Sequence, residues 1–374
     1  MVESNNITAG LQVVSEKLIS IVIPHFNRSE LLRQTLQSVA RQTYEHWEVV
    51  IVDDGSSSAE FDCISRFADQ RVRVLRRTGD VRGPSICRNQ GAAASHGELL
   101  LFLDSDDLLA PWCLQQRVLA VASESDATTV LAPVMIFLNR PGDLDVLWGK
   151  PDTSSPLEMF LISDPAWHTS SPLWKRDVFL AVGGFNPRVM YGDDADLHIR
   201  ALYAGIRFRC SAECLPDVFI RRTEHQRITS SDSPELRRSR RIFLSEVSCV
   251  VKHQGTARHR LLWQGQYVAE CERLMSGGSA ASADIRPVLD QWGADWPDSG
   301  LARAAFCLYL RAALPVRQYS RLTVRLLRKL CTQFLPAEWL LTPQHFCCHQ
   351  TSGQILTRIQ SAFAGFANGA SADA

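Results

Sequence analysis

The chain lacks net charge: forty Lys and Arg are balanced by forty Asp and Glu among its 374 residues. A surface built to hold a polyanion is therefore not indicated, no nucleic-acid partner is expected, and any basic patch must be local. Long apolar runs are also lacking, since no uninterrupted stretch approaches the roughly 20 residues needed to span a bilayer. The opening stretch MVESNNITAGLQVVSEK has no basic segment leading into an apolar one, so it does not read as a secretion signal. A soluble protein of the cytoplasmic side is the expectation. Eleven cysteines, an odd number, lack any framework spacing and read as reduced, mostly packed thiols. His345, Cys347, Cys348 and His349 crowd together, but adjacent cysteines lack the separation of about two to four residues usual for zinc ligands. Glycine is missing where a triphosphate cradle would need it, because the first apolar strand runs into PHFNRSE.

What is present is an ordinary globular composition, 45% hydrophobic and 21% charged, with room for an α/β domain of about 200–250 residues plus a smaller unit. The chain is organised around LLLFLDSDDLLAP, residues 99–111. An apolar run that breaks at once into three carboxylates reads as a buried strand delivering Asp104, Asp106 and Asp107 to one mouth. Three like charges repel. They stay ionised together only if water, a cation or cationic side chains compensate them, and a hard divalent ion bridging to a phosphate is a common solution. A turn that merely caps the helix after Pro111 needs one Asp, not three.

In chain order, LISIVIPHFN (18–27) reads as a buried strand ending near Pro24, and Ser29 to Gln42 shows a helical apolar period. WEVVIVDDGSS (47–57) is a second strand that delivers Asp53 and Asp54; a helix near 59–68 and a short strand at 72–75 follow. GPSICRNQGAAASHGE (83–98) has Pro84 for a first helical turn and Gly97 for a stop. Strand–helix alternation over about a hundred residues predicts a doubly wound, mostly parallel sheet, with ligands beyond the carboxyl ends of its strands. Phe26 and Asn27, Asp53 and Asp54, and the three acids after Leu103 all fall at that edge. Further on, 112–122 reads as a helix, 128–138 as one strand and 140–165 as a connecting loop. Residues 167–186 read as a polar strand, a short helix and a Gly-Gly turn. YGDDADLHIRALYAG (191–205) is a helix with Asp193 and Asp194 in its first turn, where acids also serve simply as caps. CLPDVFIRRTEHQRITSS (214–231) gathers Arg221, Arg222 and His225 for a phosphate or metal contact. From Ser233 the pattern is helical. Tail helices carrying Arg325, Arg328 and Lys329 are expected to pack with a basic outer face, the alternative being peripheral contact with an anionic membrane face.

Six blocks in order, ISIVIPHFN, VVIVDDGSS, GPSICRNQG, LLFLDSDD, GGFN with YGDDADLHIR, and RRTEHQRITSS, resemble the family-2 inverting glycosyltransferases of GT-A fold. The resemblance covers about 18–231. It implies a Rossmann-like, mostly parallel sheet flanked by helices, spanning 18–232 after a polar leader (1–17). A helical region at 233–365, which the resemblance does not reach, and a disordered tail at 366–374 complete the expected layout. It further implies a nucleotide-sugar donor, by default a uridine diphosphate sugar, and a saccharide or lipid-linked acceptor, in polysaccharide or glycoconjugate synthesis. A divalent cation, Mn2+ or Mg2+, would be held by Asp104 and Asp106 with His225, with Asp107 beside them. Pro24, Phe26, Asn27, Asp53, Asp54, Arg88, Asn89, Asp104 and Asp107 would contact the donor. Phe26 stands where the family usually has a tyrosine, so stacking on the base survives but a hydroxyl contact does not. Asp194 takes the place of the base that deprotonates the acceptor hydroxyl, while Asp193 replaces the usual Glu. Trp167, His168 and Asp193 would line the acceptor site. Two other readings are a nucleotidyltransferase, disfavoured by the glycine-free PHFNRSE, and a degenerate nucleotide- or glycan-binding scaffold, disfavoured by the retained Asp53, Asp104, Asp106 and Asp194.

Overall fold

The computed structural model describes residues 17–123, 129–210, 214–222, 233–276, 282–316, 335–340 and 353–364. Strands β1 (Ile19–His25), β2 (Trp47–Asp53), β3 (Val72–Arg76) and β4 (Leu99–Phe102) alternate with helices α1 (Ser29–Ala40), α2 (Ser58–Ser65) and α3 (Pro84–Ala94). The four strands are parallel, with Ile19 opposite both Trp47 and Leu99. Their side chains alternate between two buried faces: Ile19, Ile21, Ile23, Val49, Ile51, Leu99 and Leu101 fill one core, while Val22, Leu100 and Phe102 fill another. That double burial is why these strands read as continuous apolar runs. Pro24 is tolerated in a central strand because the β1–β4 ladder has already ended at Val22 and Phe102. Helix α3 lies close on β1 at Gly91, where an added Cβ would fall 2.3 Å from Val22 Cγ1.

The sheet is completed by β6 (Thr129–Leu131), β9 (Pro172–Lys175) and β10 (Phe208–Cys210), in the order β10-β6-β9-β4-β1-β2-β3, with β9 antiparallel to both its neighbours. A second, four-stranded sheet runs β5-β11-β7-β8, from β5 (Leu108–Leu109), β11 (Val218–Arg221), β7 (Val134–Phe137) and β8 (Val146–Trp148). The single strand expected over 128–138 is therefore two. The chain leaves the large sheet at Ala132–Pro133 and enters the small one, since Pro133 cannot donate to a ladder. The loop expected over 140–165 likewise contains β8 and helix α5 (Pro156–Leu161).

Helices α4 (Cys113–Ser123), α6 (Arg176–Ala181) and α7 (Asp193–Tyr203) complete the first part. The helical region comprises α8 (Pro234–Gln254), α9 (Ala257–Ser276), α10 (Ser282–Asp295), α11 (Gly300–Val316) and α12 (Gly353–Ala362). It does not stand apart. Phe243, Val247, Trp263, Tyr267 and Trp292 share one apolar cluster with Phe160, Trp167, Val189 and Ile199, and Ile359 of α12 packs with Phe137 and Phe219 of the small sheet. Among the described residues no helix is long and apolar enough to cross a membrane. The tail positions 325–329, the 345–349 His/Cys group and the expected disordered end lie outside the described residues.

Candidate active site

The acids after β4 are held by α1. Thr35 Oγ1 donates to the carbonyls of Asp107 (2.8 Å) and Ser105 (3.1 Å), and the Asp107 amide donates to Asp104 O. This turn sends the three carboxylates to different partners. Asp104 accepts from Arg88 Nη2 at 2.6 Å, and Asp106 accepts from Arg28 Nη1 at 2.8 Å. Asp107 turns inward, where Oδ1 accepts from the Arg221 amide while Oδ2 is buried with no hydrogen-bond partner. Burial raises all three carboxyls, but the outcomes differ. Arg88, with His168 after it, outweighs burial and holds Asp104 below the usual range. Asp106 stays raised, with the Asp104 charge adding to burial. Asp107 is raised furthest, by burial and then by Asp106 and Asp104.

A ligand atom from each of Asp104, Asp107 and His168 lies within 4.8 Å of the others. Two hard oxygens with an imidazole nitrogen suit Mn2+ better than Mg2+, which takes oxygen ligands, and the orphaned Asp107 Oδ2 is the kind of atom a cation would satisfy. This set differs from the expected one. Among the described residues the ligand atoms that converge are those of Asp104, Asp107 and His168, while Asp106 is paired with Arg28 and His225 lies outside the described residues.

Arg88 joins two elements. Buried at the first turns of α3, it reaches Asp104 with one nitrogen and Asp193 of α7 with another, at 2.8 Å. Asp193 also accepts from Ser85 Oγ. Its carboxyl is pushed up to about 6, by burial first, against the pull of Arg88 and with the help of Asp194. Asp194, half-buried, accepts from the adjacent Ala195 amide. Gly192 begins the helix at φ +73°, and the Phe243 ring of α8 lies 3.1 Å from where its Cβ would stand. Ser239, also of α8, accepts from the amides of Met190 and Tyr191.

On the donor side Phe26 is 48% exposed, an aromatic face left open at the rim. The other expected contacts there have hydrogen-bond partners within the protein. The Arg28 amide donates to His25 Nε2, so His25 Nδ1 carries the proton and faces Asp53 Oδ1 at 3.2 Å. Asp53 Oδ2 accepts from the Gly55 and Ser56 amides, and the residue has no exposed surface. Hydrogen bonds from Ser56 and His25 outweigh burial and keep its carboxyl low. Asp54 accepts from Arg77 and the Gly83 amide. Asn27, at φ +49°, ties its turn to Ser56 and Ser57. Asn89 clamps Phe185 through both its amide and its carbonyl, so it shapes the Gly-Gly-Phe turn and does not reach the acidic rim. Trp167 does not present a ring to an acceptor: it is 1% exposed, packed on Phe160, His198 and Phe208. His168 beside it is half-buried and meets Trp148 edge-on. Arg221, expected at a phosphate or metal, instead holds the acidic turn through Asp107 and the Asp106 carbonyl, while Arg28, Thr35, Ser85 and Ser239 were not singled out by the sequence. Only Arg28 and Ser85, next to motif residues, carried a signal.

Residues 20–159 match the family model described as glycosyl transferase family 2. They form a family 2 glycosyltransferase domain. An uncharacterized glycosyltransferase of Nostoc sp. (strain PCC 7120) is 30% identical over 177 residues, 45% of this chain and 54% of the relative. The Bacillus subtilis putative glycosyltransferase EpsH is 32% identical over 110 residues, 29% of this chain and 31% of the relative. The chain thus spans about half, or less, of the length of these relatives. Among solved structures, Staphylococcus aureus TarS 1-349 in complex with UDP-GlcNAc superposes with a TM-score of 0.59 at 15% identity, covering 86% of this chain and 93% of that one. The likeness extends through the helical region, and the family 2 domain has the expected GT-A fold.

Proposed function

We propose that the protein is a metal-dependent inverting glycosyltransferase that moves a sugar from a nucleotide-sugar, by preference a uridine diphosphate sugar, to a hydroxyl of a saccharide or lipid-linked acceptor. The observation that carries this reading is the Arg88 bridge, which binds the acids of the donor edge to those at the start of α7. Two carboxylate groups with separate roles thereby share one rim. Asp104, Asp107 and His168 would hold Mn2+ or Mg2+, whose charge, when bound, offsets that gathering on the leaving diphosphate. Phe26 would stack on the base. Arg88 keeps Asp104 ionised and fixes Asp193, which leaves Asp194 as the carboxylate to take the acceptor proton as its oxygen attacks the anomeric carbon from the face opposite the leaving group. The TarS complex with UDP-GlcNAc supports the donor class by fold likeness.

Thermal shift with uridine, guanosine and thymidine diphosphates, with and without Mn2+, tests the donor site, because a ligand of the folded state raises Tm. A Mn2+-dependent shift with one nucleotide, followed by turnover of its sugar derivative, is expected. Nucleotide affinity without turnover would instead mark a scaffold.

A further inference from the structure

The candidate cation site takes its ligands from distant segments: Asp107 from the turn after β4, and His168 from the turn before β9. Both segments converge on one buried ion pair. Arg117 of α4 and Asp217, just before β11, have no exposed surface and meet in a two-pronged contact, Nε to Oδ2 at 2.8 Å and Nη2 to Oδ1 at 2.6 Å. The third prong of the guanidinium, Nη1, donates to Ser170 O at 2.9 Å.

From Ser170 the connection to His168 is short. The Ser170 amide donates to His168 Nδ1 at 3.3 Å, and the Ser171 amide donates to His168 O at 2.9 Å, so the carbonyl gripped by Arg117 belongs to the turn that aims the imidazole. From Asp217 the connection to Asp107 is equally direct. Asp217 O accepts from the Ala110 amide at 2.8 Å, Val218 and Phe219 pair with Leu109 and Leu108, and the Arg221 amide donates to Asp107 Oδ1 at 3.0 Å. Gln116 steadies the pair by donating to Asp217 Oδ2 at 2.7 Å and to Leu215 O at 2.8 Å.

A buried ion pair is a poor way to gain stability, since apolar residues of similar volume often do as well or better. What apolar residues cannot supply is a rigid fork that fixes the distance between two turns. We infer that Arg117 and Asp217 are positioning residues that set the span between Asp107 and His168 and so give the site its affinity for a divalent cation. The inference rests on the cation reading given above.

The test is a titration of the purified full chain with Mn2+ alone, following the loss of the free-ion electron paramagnetic resonance signal. Groups that hydrogen-bond metal ligands directly typically carry about 10–100-fold in affinity; Arg117 and Asp217 act one step further out, through Ser170 and Ala110, so a loss at the low end, about 10-fold, is the measure. That loss is expected for Arg117→Lys, which keeps the charge but not the fork, and for the double variant Arg117→Met with Asp217→Leu, which fills the volume without charge. Gln116→Leu leaves the Arg117–Asp217 fork in place, removes the outer support of Asp217 together with the hydrogen bonds to Leu215, and is expected to weaken Mn2+ several-fold. Ile64→Val, a core change on α2 away from the site, controls for lost stability and should bind as wild type does. Unchanged Mn2+ affinity in the folded variants would overturn the positioning role alone. A wild-type chain that takes up no Mn2+ would overturn the cation reading, and this inference with it.

Discussion

At the scale of single residues, the acids divide by what holds them. Asp107 has a buried oxygen with no partner, whereas Asp106 is engaged by Arg28. Asp107→Asn is therefore expected to abolish Mn2+ binding while Asp106→Asn retains most of it, and equal losses in the same titration would contradict that division. Asp194→Asn should keep donor and Mn2+ affinity and lower transfer by orders of magnitude, the pattern of a lost transition-state interaction. The pH dependence belongs to Asp193. Its folded carboxyl, near 6, lies above the ordinary 3.8, so the folded protein takes up this proton before the unfolded chain does. Stability from that proton is complete below about 4 and lost as pH rises through about 6. Activity runs the other way, because protonation removes one of the two negative partners of Arg88, the one on α7. Donor turnover should show an acidic limb near pH 6 that Asp193→Asn abolishes; a limb unchanged in that variant would assign it elsewhere. The sequence made Asp104, Asp193 and Asp194 legible because each follows an apolar strand or opens a helix. It could not reveal that Asp53, Asp54, Asn27 and Asn89 would be paired with other segments of the protein. That outcome depends on partners such as His25, Arg77 and Phe185, which only the fold brings near.

At the scale of elements, the strands that could be read were those buried on both faces, such as VVIV and LLLF. The ones missed are short. FRC and VLW hold three residues each, too few for a period, and the change of sheet at Pro133 hides inside one apolar run. Helix α8 carries a role that its sequence did not announce. Ser239, 3% exposed, receives two successive amides from the turn that leads into α7. In Ser239→Ala those two N–H groups lose their acceptor in a partly buried turn, at a cost of about 1 kcal/mol. The variant is expected to fold with a lower denaturation midpoint and faster amide exchange at Met190 and Tyr191. Unchanged exchange there would mean that Phe243 against Gly192 holds the turn by itself.

At the scale of the whole molecule, the boundary drawn in the sequence at 232/233 separates motifs from no motifs, yet packing ignores it. Trp263, Tyr267 and Trp292 of the helical region are fully buried, and the cluster they belong to includes Phe160, Trp167 and Ile199 on the other side of that boundary. A polar network runs through the same core: Trp263, Trp296 and Tyr267 direct their polar tips to Ser248, and Tyr267 donates to Asp295 at 2.5 Å. Fully burying one such large side chain contributes about 1.5–3 kcal/mol, and a domain's net stability is only about 5–15 kcal/mol. Losing several of these contacts at once would therefore exceed what the remaining chain holds in reserve. A chain ending at residue 232 is expected to lose its cooperative thermal transition and to bind a hydrophobic dye, even though it keeps all six motif blocks. A sharp melt for that fragment, with nucleotide affinity intact, would show that the helices only decorate a self-sufficient sheet. Loss of both, with both restored when residues 233–374 are co-expressed as a separate chain, would show that the helical region completes the core on which the first turn of α7 is seated.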